Sequence, residues 1–327
     1  MSCRTSRASA ARPWSSPSAW LWLRRGSRSS WAAYADPVSN HRPSAAQGPV
    51  ESRFYRPAAG EASDVEPMPA GDVTEGVVRV GGTIRRPHQP QSFAVADYLD
   101  WLENAGFEGS PRFLGRDPQG RDALTFMPGD CAGAVPEPWV QSEDLLASVG
   151  SLVRRLHHAS EGFVPVAHPF PLRPVRQDTV KGDPAALVCH LDVTPQNVVV
   201  RGGLAAGLVD FDLAGPSTAL KDSLNTAMHW VPLRDPADAW PGWEQLDPFR
   251  RLRIFADAYG WTGDERRRLP GFGVDAVRLS YERMEHNART VGGGWARMWS
   301  EGVGGVIERR AAWLEANATR LVRALTD

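Results

Sequence analysis

Hydrophobic and polar positions follow no sustained period over residues 1 to about 70, a stretch rich in Ser, Arg, Ala and Pro. Such a segment buries too little apolar surface to offset its ordering entropy, so a disordered tail is expected there. A targeting role for its acid-poor start and a misplaced start codon are further readings of the same stretch. From Gly71 the pattern changes. Residues 77–80 and 83–86 are strand-like on either side of Gly81 and Gly82, which predicts a hairpin with a tight turn. Gly71 and Gly76 precede it, although Pro67 and Pro69 interrupt the strand that would lead into them. Val95, Tyr98, Leu99 and Leu102 then recur at helical spacing, predicting a helix over 93–105 that Gly106 ends. Residues 112–115 and 122–126 flank the turn residues Asp117, Pro118, Gln119 and Gly120, a second hairpin.

Beyond residue 128 the helical period dominates. Leu145, Val149, Leu152, Val153 and Leu156 mark an amphipathic helix over 145–158, and 162–183 read as a Pro-rich connection. A short apolar run at 186–188, a β-branched run at 198–200 and a third run at 206–209 predict strands, the last two joined by a turn at Arg201, Gly202 and Gly203. Helices are expected over 247–259, 263–269, 275–289 and 305–325. Strands gathered early and helices gathered late predict an α+β fold, and 327 residues favour two lobes over one.

Composition adjusts this picture in three ways. A formal net charge of −1 argues against nucleic acid or an anionic membrane as the main partner, and no run of 18 apolar residues is present to span a bilayer. Cys3, Cys131 and Cys189 are widely separated with no metal-ligand spacing, which suggests reduced thiols and a cytoplasmic setting. Nearly all basic residues are Arg; Lys181 and Lys221 are the two lysines, the bias of a GC-rich bacterial genome.

The chemistry concentrates between residues 187 and 212. His190, Asp192 and Asn197 fall in a loop after one strand, and Asp210 ends another, so two carboxylates and an amide converge at strand ends. Hard oxygen ligands of this kind suit Mg²⁺ holding a phosphate, with a remaining carboxylate able to orient a hydroxyl and accept its proton. The plainer reading of Asp192 and Asn197 is a turn between strands.

His190-x-Asp192-x-x-x-x-Asn197 followed by Asp210-Phe211-Asp212 resembles the core motif of the protein-kinase-like superfamily, and more closely its aminoglycoside phosphotransferase and choline kinase branch. The resemblance implies a two-lobed kinase-like fold: a nucleotide-binding lobe over 71–127 with a small antiparallel sheet and one helix, and a mainly helical lobe over 128–327. It implies an ATP- and Mg²⁺-dependent kinase of a small hydroxyl compound, with Asp192 as catalytic base, Asn197 and Asp210 as metal ligands and His190 bracing the loop. Asp212 would be a second carboxylate near the metal, and Asp222 would cap a helix or brace the loop. Phe126 and Met127 would meet the adenine edge through their main chain. His157 and His158 would be structural.

The chain departs from the family pattern in its small lobe. Where the family carries a phosphate-gripping lysine, residues 83–86 read Thr-Ile-Arg-Arg. By the strand period Ile84 and Arg86 share a face, so Ile84 would lie against adenine and Arg86 would replace the lysine. The other reading makes Arg85 and Arg86 solvated. No glutamate partner is evident on the first helix, where Asp97, Asp100 and Asn104 form a face expected to be solvated. Trp230, Trp240, Trp243 and Trp261 with Asp235, Asp238, Glu244 and Asp247 would make an acidic aromatic wall suited to a cationic substrate, or else are core residues and scattered surface acids. The rival functions are a catalytically degenerate kinase-like binding module and a metal-dependent hydrolase. The acceptor, the choice of ATP or GTP and the oligomeric state are not written in the sequence.

Overall fold

A computed structural model describes residues 48–56, 65–68, 76–170 and 187–327. Most of the expected tail, Gly71 to Glu75 of the glycine-containing loop, and Lys181 lie outside them.

The small lobe is a five-stranded sheet of β1 (Val65–Pro67), β2 (Val78–Val80), β3 (Thr83–Arg86), β4 (Phe113–Arg116) and β5 (Asp122–Thr125), ordered β1-β2-β3-β5-β4 with antiparallel neighbours throughout. Both expected hairpins form. Val80 pairs with Thr83 across a two-residue turn in which Gly81 takes φ 57°, a conformation cheap only for glycine. Helix α1 (Ser92–Asn104) covers the sheet with Ala94, Val95, Tyr98, Leu99 and Leu102 buried, and the chain leaves it at Gly106 with φ 78°.

Residues 48–56, expected in the tail, pack on this lobe instead. Val50 is buried at 2% exposure. The Tyr55 N–H donates to Arg116 O at 2.8 Å, the Arg116 N–H donates to Arg53 O at 3.0 Å, and the Arg53 guanidinium pairs with Asp100 of α1. Composition hid this because the segment borrows its partners from β4 and α1, whereas periodicity reports only a segment's own face.

Hydrogen bonds tie the lobes, among them Leu208 N–H to Gly109 O at 2.8 Å and Trp101 Nε1 to Ala159 O at 2.7 Å, and the chain that follows the small lobe is itself pinned at Asp130. Asp130 and Val200 exchange N–H···O bonds of 2.9 and 2.8 Å. Gly129 makes room for them, since a Cβ there would lie 2.5 Å from Val199 Cγ1. Tyr98, fully buried on α1, donates its hydroxyl to Val188 O at 3.0 Å.

In the large lobe, α2 (Glu143–Ser160) is the central helix, entered at the N-cap Ser142. Strands β6 (Leu187–Cys189) and β9 (Gly215–Ser217) pair antiparallel, as do β7 (Val198–Arg201) and β8 (Leu204–Leu208). Helices α3 (Ala219–Trp230), α4 (Pro248–Tyr259), α5 (Gly263–Thr290), α6 (Gly293–Ser300), α7 (Val303–Ala316) and α8 (Ala318–Thr326) complete it. Two expected helices, 263–269 and 275–289, are one: α5 runs through Pro270. A proline inside a helix costs about 3 kcal/mol, and burial of Leu269, Phe272, Val274 and Val277 against the core offsets it. The expected helix over 305–325 divides at Asn317, and α6 was not anticipated because Gly292, Gly293 and Gly294 obscure its start.

Candidate active site

Leu187 to Cys189 form a strand that pairs with β9, so the chain must turn sharply at His190 to leave the sheet. Leu191 takes φ 65°, a left-handed conformation costing on the order of 1–3 kcal/mol in a residue with a Cβ. Two partners, one of them fully buried, hold it there. Asp222 Oδ1 accepts the Leu191 N–H at 2.9 Å, and Asn225 Nδ2 donates to Leu191 O at 3.0 Å. Asp222 and Asn225 are three residues apart on α3, hence side by side. Asp222 does not cap that helix; Thr218 does, accepting from the Lys221 N–H.

Asp222 is fully buried, and its second oxygen accepts from His157 Nε2 at 2.9 Å. A carboxylate can only accept, so His157 Nδ1 faces the Tyr259 hydroxyl at 2.8 Å as the acceptor of its proton. Cys189 offers a third possible ligand atom within 4.8 Å. With both imidazole nitrogens engaged, however, the cluster is a brace under the Asp192 loop. His158 is exposed and meets Glu161. His190 is fully buried, and burial pushes its pKa below the ordinary imidazole value. The neutral ring donates from Nε2 to Val209 O at 3.0 Å, while Nδ1 accepts the Asp192 N–H at 3.3 Å. His190 therefore links the Asp192 loop to the chain just before Asp210.

Asn197 turns its amide nitrogen toward Asp192, donating to the main-chain O at 3.0 Å and to Oδ2 at 2.9 Å. Its amide oxygen is left to face elsewhere. Asp210 also sits in the left-handed region, at φ 61° and ψ 67°, with its side chain 41% exposed. Burial of the group and the neighbouring Asp212 raise its pKa, against the pull of Arg86. Phe211 anchors the turn, packed against His190 at 4.5 Å and Tyr98 at 6.1 Å between ring centroids. The two non-glycine residues with positive φ among the described residues are thus the ones next to Asp192 and at Asp210.

The small lobe presents Arg86 to this group. Its guanidinium pairs with Asp212 and lies 3.8 Å from Asp210 Oδ1. Gln91, at the start of α1, reaches Asp212 O at 3.4 Å, a contact with no sequence signal beyond its place before the helix. Ile84 is half-buried on the same strand face. Neither arginine of this strand is a solvated surface residue: Arg85 is 1% exposed, 3.7 Å from Asp117 and stacked on Tyr55. The acids of α1 are also paired, Asp100 with Arg53, Asp97 with His168, and Glu103 with Arg112, so none faces Arg86.

At the interlobe segment the Phe126 N–H donates to Gly82 O at 2.9 Å, and its ring lies under Arg79. That N–H is spent within the sheet, so of the Phe126 main chain only the carbonyl is left to meet an adenine edge. Met127 packs its side chain over Gly207, where a Cβ would be 2.2 Å from Met127 Cε. The expected wall is partly dispersed: Trp230, Trp243 and Trp261 are core, Asp238 pairs with Arg309, and Asp235 and Asp247 cap the helical turns they begin, while Trp240 is half-buried and Glu244 exposed.

The donor set fits a hard divalent cation. Asn197 supplies an amide oxygen, its Nδ2 being engaged with Asp192, and Asp210 supplies a carboxylate whose side chain is 41% exposed.

Residues 174–269 match the model of the phosphotransferase enzyme family. A curated relative, the trifolitoxin immunity protein of Rhizobium leguminosarum bv. trifolii, is 35% identical over 148 residues, which is 44% of this chain and 53% of that protein. The chain therefore matches about half the length of that relative. Among solved structures, a choline/ethanolamine kinase family protein from Mesorhizobium loti superposes with a TM-score of 0.52 at 19% identity, over 82% of this chain and 94% of that one. The GDP complex of aminoglycoside 2'-phosphotransferase-IIIa gives 0.50 at 13% identity, over 77% and 93%. The segment that holds Asp192, Asn197 and Asp210 thus carries the signature of the phosphotransferase enzyme family, on the two-lobed kinase-like fold that this chain shares with the choline kinase and aminoglycoside phosphotransferase branch.

Proposed function

We propose that the protein is a kinase that transfers the γ-phosphoryl group of ATP to a hydroxyl of a small molecule. The observation that carries this reading is the double hydrogen bond from Asn197 to Asp192, which joins a proton acceptor and a metal ligand in one rigid loop. Asp192 orients the acceptor hydroxyl and takes its proton, while His190, Asp222 and Asn225 hold the loop's geometry. Asn197 and Asp210 hold Mg²⁺, which when bound neutralises charge on the phosphate oxygens. Arg86 stands where the family's lysine would and offers a planar fork to two phosphate oxygens once it exchanges its carboxylate partners for the nucleotide. Ile84 and the Met127 main chain border the adenine. The GDP carried by one similar structure supports nucleotide use.

The free thiols of Cys131 and Cys189 and the ATP requirement fit the cytoplasm. No helix among the described residues is long and apolar enough to cross a membrane. A relative named for immunity to a toxin suggests that modifying a toxic compound is one use of such chemistry.

A second reading, a binding module without turnover, is favoured by one observation: Arg86 is already paired with Asp212, and no acid of α1 positions it. ADP release from ATP and Mg²⁺ across a library of hydroxyl compounds separates the two. Turnover with some acceptor is expected, falling by roughly 10²–10⁴-fold in Asp192→Asn with the fold unchanged. A folded Asp192→Asn protein of normal turnover refutes the assignment.

A further inference from the structure

Arg86 leaves the sheet at β3 and crosses to the large lobe, where its guanidinium pairs with Asp212 and lies 3.8 Å from Asp210 Oδ1. Gln91, the residue before α1, reaches the main-chain O of the same Asp212 at 3.4 Å. The small lobe thus grips one turn of the large lobe at two points, and that turn carries Asp210.

The acids of the small lobe are committed elsewhere. Asp122, opposite Arg86 on β5, meets His88 Nδ1 at 2.7 Å and accepts from the Ser92 hydroxyl. Asp97, Asp100 and Glu103 of α1 pair with His168, Arg53 and Arg112. Within ion-pair distance, the counter-charge of Arg86 therefore comes from Asp212 and Asp210. Arg86 is buried at 8% exposure, and its Nε has no hydrogen-bond partner among the described residues. A guanidinium held by its terminal nitrogens with Nε orphaned is only partly satisfied, and an incoming oxygen atom on that edge would complete it. A divalent cation at Asp210 would lie beside this guanidinium, and like charges a few ångströms apart repel where water is scarce. Arg86 and the metal compete for the same carboxylates, whereas nucleotide phosphates attract both.

We infer that Arg86 is a latch across the cleft. Without nucleotide it takes the charge-balancing place of the metal at Asp210 and Asp212 and holds the lobes together; phosphate oxygens draw it off, Nε included, and so admit the metal. This rests on the phosphotransferase reading and adds a regulation to it: the metal alone binds poorly, and nucleotide opens its site.

The test uses the full-length protein in two titrations that need no turnover: Mn²⁺ without nucleotide, followed by the paramagnetic signal of the free ion, and ADP in EDTA, followed by calorimetry. Arg86→Gln is expected to bind Mn²⁺ roughly tenfold more tightly than the unaltered protein. Arg79→Gln, which removes another cation of the small lobe, one that lies over Phe126, should not. Asp212→Asn releases Arg86 and should tighten metal-free ADP binding severalfold, a gain that vanishes when Arg86→Gln is added. Equal or weaker Mn²⁺ binding by Arg86→Gln, the same gain in Arg79→Gln, equal or weaker ADP binding by Asp212→Asn, or an ADP gain that persists without Arg86 overturns the inference. Should Arg86→Gln not fold, the sign of the Asp212→Asn effect decides: tighter ADP binding supports the latch, and equal or weaker binding overturns it. The expected affinities without ADP release from ATP on any hydroxyl compound leave the latch and remove the kinase reading. ADP release with Mn²⁺ binding unchanged in Arg86→Gln does the reverse.

Discussion

The two sides of the cleft are built by different rules. On the large-lobe side, the backbone around Asp192 is held by side chains: buried Asp222 and half-buried Asn225 hold the Leu191 peptide groups, His190 spans to Val209, and Asn197 grips Asp192 itself. On the small-lobe side a single arginine faces two carboxylates, with no acid behind it. The difference follows from what each side must do. Proton transfer and in-line attack depend on positions held to fractions of an ångström, which strained backbone and fully satisfied buried polar groups can secure. Neutralising a phosphate is mostly Coulombic, so a different cation on the same strand face can serve.

The comparison breaks most severely at Asp222. Asp222→Ala leaves His157 and the Leu191 N–H buried without their acceptor, and each buried donor left unsatisfied costs about 1–3 kcal/mol. Chemical denaturation should record that loss, together with loss of any turnover. A small decrease would mean that the brace is dispensable.

Deleting residues 1–56 tests whether the small lobe includes a segment that composition assigned to the tail. Burial of Val50 accounts for roughly 1.5–3 kcal/mol, and each lost strand-like bond between Arg53, Tyr55 and Arg116 for about 0.5–1.5 more. The melting temperature should fall clearly. An unchanged value would return this segment to the tail.

Arg86 and Arg85 sharpen the contrast between the faces of β3. Arg86→Ala should weaken ATP binding by roughly 1.5–3 kcal/mol, the scale of a hydrogen bond to a charged group, with little change in melting. Arg85→Ala should do the opposite, since that side chain is buried between Asp117 and Tyr55. Equal nucleotide affinities in the two variants would remove Arg86 from the phosphate site.

A pH dependence is also expected. His229 binds its proton at about 3 in the folded chain, against 6.5 for an ordinary imidazole. Between those values the unfolded chain takes up more protons, so stability falls as the pH drops from 6.5 toward 3. His229→Asn should flatten that slope in urea titrations at several pH values.

Much of the site was legible in the residues alone. His190, Asp192, Asn197 and Asp210 come together because strand ends and tight turns are local features, written in β-branched runs and in Gly202 and Gly203. The hairpins and α1, α2 and α4 were readable for the same reason: their periods and stops lie within a few residues of one another. What escaped depended on partners distant along the chain. Whether α5 breaks at Pro270 is decided by the apolar residues buried on either side of it. Whether Arg85 is a surface charge is decided by Asp117 and Tyr55, and the use of the Phe126 N–H by Gly82. Whether Trp230, Trp243 and Trp261 line a wall or fill the core is decided by the helices that pack on them, and whether Asp238 is a free surface acid is decided by Arg309. Local sequence sets backbone geometry, since turns and caps need only neighbouring atoms. Which charges cancel and which remain is set only when helices far apart in the chain pack together and exclude water between them.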